Sequence, residues 1–186
     1  MTAAGQRERT ARARRGPRPG RRYLWPFLAC LLLACNPVTG TGPGTPPDPG
    51  RFLHADAASR SAVLTLIAGY PATDNEFNYD GYENGQLKVI IPTGWSVTVQ
   101  CQNRTTVPNS CAVVSGPNAA RPLRTAWATP NPELGLAPGA TASFSFQAST
   151  VGDFRIASLA PGGEAGGMWL RLVIVAGGRP SIGAGD

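Results

Sequence analysis

Beyond residue 35 the chain offers a transition metal four obvious donors: Cys101, Cys111, Met168 and His54. Two thiolates and a thioether form a sulfur-rich set that suits Cu(I). A trigonal blue-copper centre instead needs two imidazoles and one thiolate, with a weak axial thioether. The whole sequence holds 1 His, so one chain cannot supply that set. The same count limits a Ser-His-Asp triad to His54 with Asp56 or Asp153, and no motif brings these together. Carboxylates are few and scattered, with no pair spaced for glycoside hydrolysis. The residue inventory speaks against an enzyme and for a domain that binds.

Charge divides the chain. The net charge is +6 over 186 residues, yet 8 Arg and 1 Glu precede Cys35, while 9 basic and 10 acidic residues follow it. The basic character belongs to the leader, and the near-neutral remainder lacks the basic patch that nucleic-acid binding requires. Residues 23–34 are an apolar run behind an Arg-rich stretch, the pattern of an export signal and too short to span a bilayer comfortably. The run ends Leu32-Leu33-Ala34-Cys35, which resembles a bacterial lipobox and makes Cys35 the expected lipidation site. Residues 1–35 therefore read as a signal peptide with lipobox, and the protein as exported and lipid-anchored, at the outer face of the cytoplasmic membrane or in the periplasm. Residues 36–50 are Gly- and Pro-rich with almost no apolar side chain, a tether that is extended yet bendable.

Short strands separated by turn signals fill the rest. Residues 62–68, 87–91 and 141–147 read as strands. Residues 95–101 alternate most cleanly: Trp95, Val97, Val99 and Cys101 share one face, as expected in an antiparallel sheet with one buried side. Asp80-Gly81 and Asn84-Gly85 are turn dipeptides, and Phe77, Tyr79 and Tyr82 can cover one end of the core. Phe144 and Phe146 point inward, and Trp127 caps the core from an irregular excursion. Residues 154–158 alternate, and residues 169–175 form a largely buried strand. The fold class is all-β, a sandwich. In an oxidising compartment Cys101 and Cys111 are expected to join as a disulfide across a turn between paired strands, stabilising by about 2–3 kcal/mol in the chain-entropy model. Two reduced thiols beside Met168 are the alternative.

The strand–loop–strand at residues 153–175 resembles the metal-binding end of the sulfocyanin and rusticyanin-like cupredoxins. That family carries Cys, four residues, His, four residues, Met, then an aromatic residue. The matching positions here are Ser158, Gly163 and Met168, followed by Trp169. The family's first ligand His follows a Pro; here Asn109 follows Pro108. Residues 77–85 and the Pro-x-Gly-Trp turn at residues 92–95 also match the family. The resemblance implies a cupredoxin-like Greek-key β-sandwich over residues 51–180, with a disordered tail at 181–186. It implies copper-based electron transfer for intact members. With Asn109, Ser158 and Gly163 in ligand positions, no metal and no cofactor are expected, and copper, as a blue centre or as Cu(I), is the alternative. The expected role is a non-catalytic accessory module that partners an electron-transfer or copper-handling complex. The end carrying Asn109, residues 161–167 and Trp169 is the expected docking surface, and a loop without its metal is expected to be mobile.

Overall fold

The computed structural model describes residues 44–71 and 74–185. The expected leader, Cys35 and tether residues 36–43 lie outside the described residues. A 3-10 turn at Pro49–Phe52, capped by the Asp48 carboxylate on Gly50 N (2.9 Å), opens the described domain. Nine strands follow: β1 (Leu53–Asp56), β2 (Ser61–Ala68), β3 (Leu87–Pro92), β4 (Ser96–Asn103), β5 (Ala112–Val114), β6 (Thr141–Gln147), β7 (Gly152–Ala157), β8 (Trp169–Val175) and β9 (Ser181–Ala184).

The strands form two sheets, β1-β2-β4-β6 and β5-β7-β8-β3-β9, and the chain switches sheet at each connection from β2 to β7. This is the sandwich that the strand pattern implied, with the Greek-key connections that the resemblance implied. Both sheets are mixed, however. β4 runs parallel to β2 and antiparallel to β6, and β3 runs parallel to β8. Alternation along residues 95–101 reports which face is buried and carries no information on a neighbour's direction. The expected antiparallel setting of β4 is thus half right.

The inner faces interlock. Leu64 and Leu66 of β2, Val97 and Val99 of β4, and Phe144 and Phe146 of β6 meet Val89 and Ile91 of β3, Ile156 of β7, and Leu170, Leu172 and Ile174 of β8 in one core. Fully burying each of these side chains stabilises by roughly 1.5–3 kcal/mol before chain entropy is set against it. Trp127 covers the edge of this core, tilted on Phe146 at 5.3 Å between ring centroids. The tail expected to be disordered is instead strand β9, paired antiparallel to β3, with Ile182 against the core. A four-residue strand with one large apolar residue carries too little pattern to be recognised before its partner edge is known.

Cys101 and Cys111 form a disulfide with Cα atoms 6.2 Å apart. It does not staple two paired strands as the spacing suggested. Cys101 lies on β4 and Cys111 immediately precedes β5, so the bond ties one sheet to the other through the buried core.

Candidate functional site

Four segments converge where β7 leaves and β8 enters the five-stranded sheet. Asn109 lies between β4 and β5. Its backbone exchanges two hydrogen bonds with Leu136, Asn109 N to Leu136 O at 3.1 Å and Leu136 N to Asn109 O at 2.7 Å. Ser158 follows β7, Met168 precedes β8, and Gly163 sits in the connecting loop. The loop closes on itself: Ser158 N donates to Met168 O (3.1 Å), and Met168 N donates to Gly163 O (3.0 Å). Asn109, Ser158, Gly163 and Met168 are all buried. A Cβ on Gly163 would collide with the Cβ and Oγ of Ser158, so at this position glycine is what lets the loop close.

The polar atoms of this end satisfy one another. The Ser158 hydroxyl accepts from Ser110 N (3.1 Å) and donates to Asn109 Oδ1 (3.2 Å). Asn109 Nδ2 donates to Thr105 Oγ1 (2.7 Å), which in turn reaches Asn103 Oδ1 (2.8 Å) and Val107 O (2.6 Å). Asn103 Nδ2 donates to Val107 O and Leu136 O. Ser110 Oγ accepts from Leu159 N (2.9 Å), and the Ser110 carbonyl accepts from the Tyr79 hydroxyl. Each bond contributes only about 1 kcal/mol net, but leaving any one of these buried groups alone would cost about 1–3 kcal/mol. Asn103, Thr105 and Ser110 were not singled out from the sequence. Asn and Ser/Thr in an irregular stretch signal turns, and nothing in their spacing announces burial.

The donor set does not fit a blue-copper ion. Asn109 spends both ends of its amide on Ser158 and Thr105, Ser158 is a hydroxyl already holding two bonds, and Gly163 has no donor. Met168 is one thioether, the weak axial member of such a site. Both thiols of the described domain are consumed in the disulfide. Among the described residues no group of three or more His, Cys, Asp or Glu comes together. His54 is exposed on β1, in register with Val63 of β2.

A second buried cluster adjoins the first. Tyr79 and Tyr82 exchange two backbone hydrogen bonds, each 2.8 Å, around Asp80 and Gly81, which take the left-handed conformation at φ 57° and 86°. Asp80 Oδ1 accepts from Ile67 N (2.8 Å), while its fully buried Oδ2 has no partner. Burial pushes the carboxyl up to about 8, against the opposing donation from Ile67 N. Burial likewise raises the Tyr79 hydroxyl, with the nearby Asp80 and Glu164 charges adding to it. The Asp80-Gly81 dipeptide marked a turn; that the turn folds inward, carboxylate first, was not readable from it.

The loop at residues 161–167, expected to be mobile, carries hydrogen bonds of its own. Gly166 N donates to Gly162 O (2.8 Å), Gly167 N to Glu164 O (3.0 Å), Asn84 N to Gly167 O (2.8 Å) and Asn75 Nδ2 to Gly166 O (3.1 Å). Asn109, placed on the docking surface by position alone, is 1% exposed and belongs to the interior.

The sulfocyanin (SoxE) domain profile matches residues 50–128. Sulfocyanin of Sulfolobus acidocaldarius is 26% identical over 129 residues, 63% of this chain and 65% of that protein, so the match spans just under two thirds of the relative's length. Among solved structures, reduced auracyanin of Roseiflexus castenholzii aligns at a TM-score of 0.46 with 19% identity, over 66% of this chain and 99% of that one. Rusticyanin of Thiobacillus ferrooxidans aligns at 0.44 with 16% identity, over 67% and 88%. The profile match and the sequence relative make the chain similar to sulfocyanin over part of its length, and its two sheets form a Greek-key sandwich.

Proposed function

We propose that this domain is a metal-free cupredoxin fold serving as a non-catalytic binding or accessory module outside the cytoplasm, held to a membrane by a lipid on Cys35. The observation that carries the metal-free reading is the Ser158–Asn109 hydrogen bond at 3.2 Å. Two positions that hold copper ligands in the family are joined instead to each other, inside a network with its polar groups satisfied. Export is supported by the leader pattern and by the disulfide, which persists in oxidising compartments. The role is to dock a protein partner in an electron-transfer or copper-handling assembly. The partner meets the exposed parts of the loop end, Pro161, Gly162 and Ala165, rather than Asn109.

The test is a titration of the purified protein with Cu(II) and with Cu(I), reading bound metal and visible absorption. Absence of stoichiometric metal and of a thiolate-to-copper band is the expected result. An intense blue band would overturn the reading and restore the copper electron carrier. Tight, colourless Cu(I) binding that appears only after reduction of Cys101–Cys111 would favour a soft-metal carrier using those thiols and Met168. For the anchor, mass analysis of the mature N-terminus should find a diacylglyceryl group on Cys35; an unmodified Cys35 would remove lipid anchoring from the proposal.

A further inference from the structure

A row of cations crosses the outer face of the five-stranded sheet. Arg155 of β7 lies opposite Arg171 of β8, and Arg171 lies opposite Lys88 of β3. With neighbouring strands about 4.8 Å apart, three positive side chains fall within about 10 Å. Like charges directly opposite one another destabilise a sheet. Among the described residues only Arg155 has an ion-pair partner, Glu164 at 3.0 Å; Arg171 is exposed and Lys88 half-buried, and neither is paired.

Arg155 is held in place. Its guanidinium lies 3.7 Å from the centroid of Trp169, and Glu164 is itself fixed by Asn118 N at 3.2 Å. The indole packs directly on Gly85, at φ +76°, where a Cβ would collide with the ring. Arg155, Arg171 and Trp169 line a cleft of about 450 Å³ with Asn84 and Ser115 at its rim. Asp153 lines the same cleft one row further along, opposite Val173, and together with the Glu164 carboxylate on Arg155 keeps its net charge low.

We propose that this cleft binds a singly charged phosphate group, a site separate from the old ligand positions. The free Arg171 guanidinium offers parallel N–H donors to phosphate oxygens, Arg155 is held beside it with one nitrogen on Glu164, and Lys88, in register with Arg171 but outside the cleft lining, adds charge at longer range. Asp153 disfavours a polyanion. Inorganic phosphate and the phosphodiester of a lipid headgroup share this chemistry.

The two sources are separated by calorimetric titration of the full-chain protein with inorganic phosphate at pH 6, and by its binding to phosphatidylglycerol vesicles relative to phosphatidylcholine vesicles. Saturable binding in the first arm assigns a soluble phosphate; preference for the anionic vesicles alone assigns a headgroup. In whichever arm responds, Arg171→Gln should weaken binding about tenfold, the loss of one charge-assisted hydrogen bond. Lys88→Gln should weaken it less, and Arg179→Gln, on the exposed turn after β8, should leave it unchanged. Arg171 is exposed, so its variant folds as the parent does. No response in either arm, equal binding by Arg171→Gln, or binding to a poly-glutamate peptide without either phosphate response would overturn the proposal.

Discussion

Two buried polar clusters sit side by side at one end of this sandwich, and they are built on opposite terms. In the first, Asn109, Ser158, Thr105 and Asn103 are neutral and pass hydrogen bonds among themselves and to the backbone. In the second, Asp80 is ionisable, gives one oxygen to Ile67 N and leaves the other without a partner. The Tyr79 hydroxyl, donating to the Ser110 carbonyl, is the link between them. The contrast separates two uses of buried polarity. Neutral, mutually satisfied groups stabilise the fold without chemistry, whereas a lone buried carboxyl makes the fold sensitive to protons.

The largest effect should come from the second cluster. Asp80 has its ordinary value of 3.8 when unfolded and is held near 8 when folded. Below about pH 4 both states hold the proton and the group is neutral toward stability. Between about 4 and 8 the unfolded chain releases it while the folded chain keeps it, so stability falls as pH rises; above 8 the penalty levels off. The total is on the order of 5 kcal/mol. Asp80→Asn keeps the acceptor for Ile67 N and tolerates the left-handed backbone. Denaturant unfolding from pH 4 to 9 should show the parent losing stability relative to this variant across that window. Parallel curves would show that the carboxyl does not titrate in the folded state, and the contrast between the clusters would disappear.

The first cluster is probed by breaking its satisfaction. Asn109→Ala removes the acceptor of the Ser158 hydroxyl and the donor to Thr105 Oγ1, and should lower stability by about 3 kcal/mol, two stranded buried groups plus a small cavity. The loss should be independent of pH from 4 to 9, unlike that from Asp80. A smaller effect is expected from Gly163→Ala, about 2 kcal/mol, because the added methyl meets Ser158. The same change in a Ser158→Gly background should cost measurably less, since the atoms it strikes are gone. Equal losses in both backgrounds would show that the loop, and not Ser158, resists the side chain.

Much of this architecture is legible in the sequence alone. The alternation of Trp95, Val97, Val99 and Cys101, the inward Phe144 and Phe146, and the buried run at β8 each report a period-2 pattern that physics ties to a half-buried strand. The frame Ser158, Gly163 and Met168 with Asn109 located the candidate site, and the structure brings those four positions together. What stayed hidden depends on partners distant in sequence. The parallel pairing of β2 with β4 follows from chain crossing between sheets, and β9 exists only because β3 has a free edge. The burial of Asp80 depends on Ile67 offering its N–H, thirteen residues away. The cation row needs three strands in register, Arg155, Arg171 and Lys88, none of which is near the others along the chain except through the sheet.

The smallest effect decides whether the two clusters are one unit. Tyr79→Phe removes only the hydroxyl that donates to Ser110 O, and should lower stability by about 1 kcal/mol, one buried hydrogen bond. Asp80 and Asn109 share no partner of their own; what joins them is this hydroxyl, the Ser110 backbone and Ser158. Changes at groups without a common partner add to within about 0.5 kcal/mol. A double-mutant cycle of Asp80→Asn with Asn109→Ala, measured at pH 8, should therefore show a coupling no larger than that. A coupling well above 1 kcal/mol that disappears in the Tyr79→Phe background would mean that the hydroxyl transmits the charge state of Asp80 to Asn109 and Ser158. The neutral network would then sense pH through its neighbour, and the separation drawn here between the clusters would fail at that one bond.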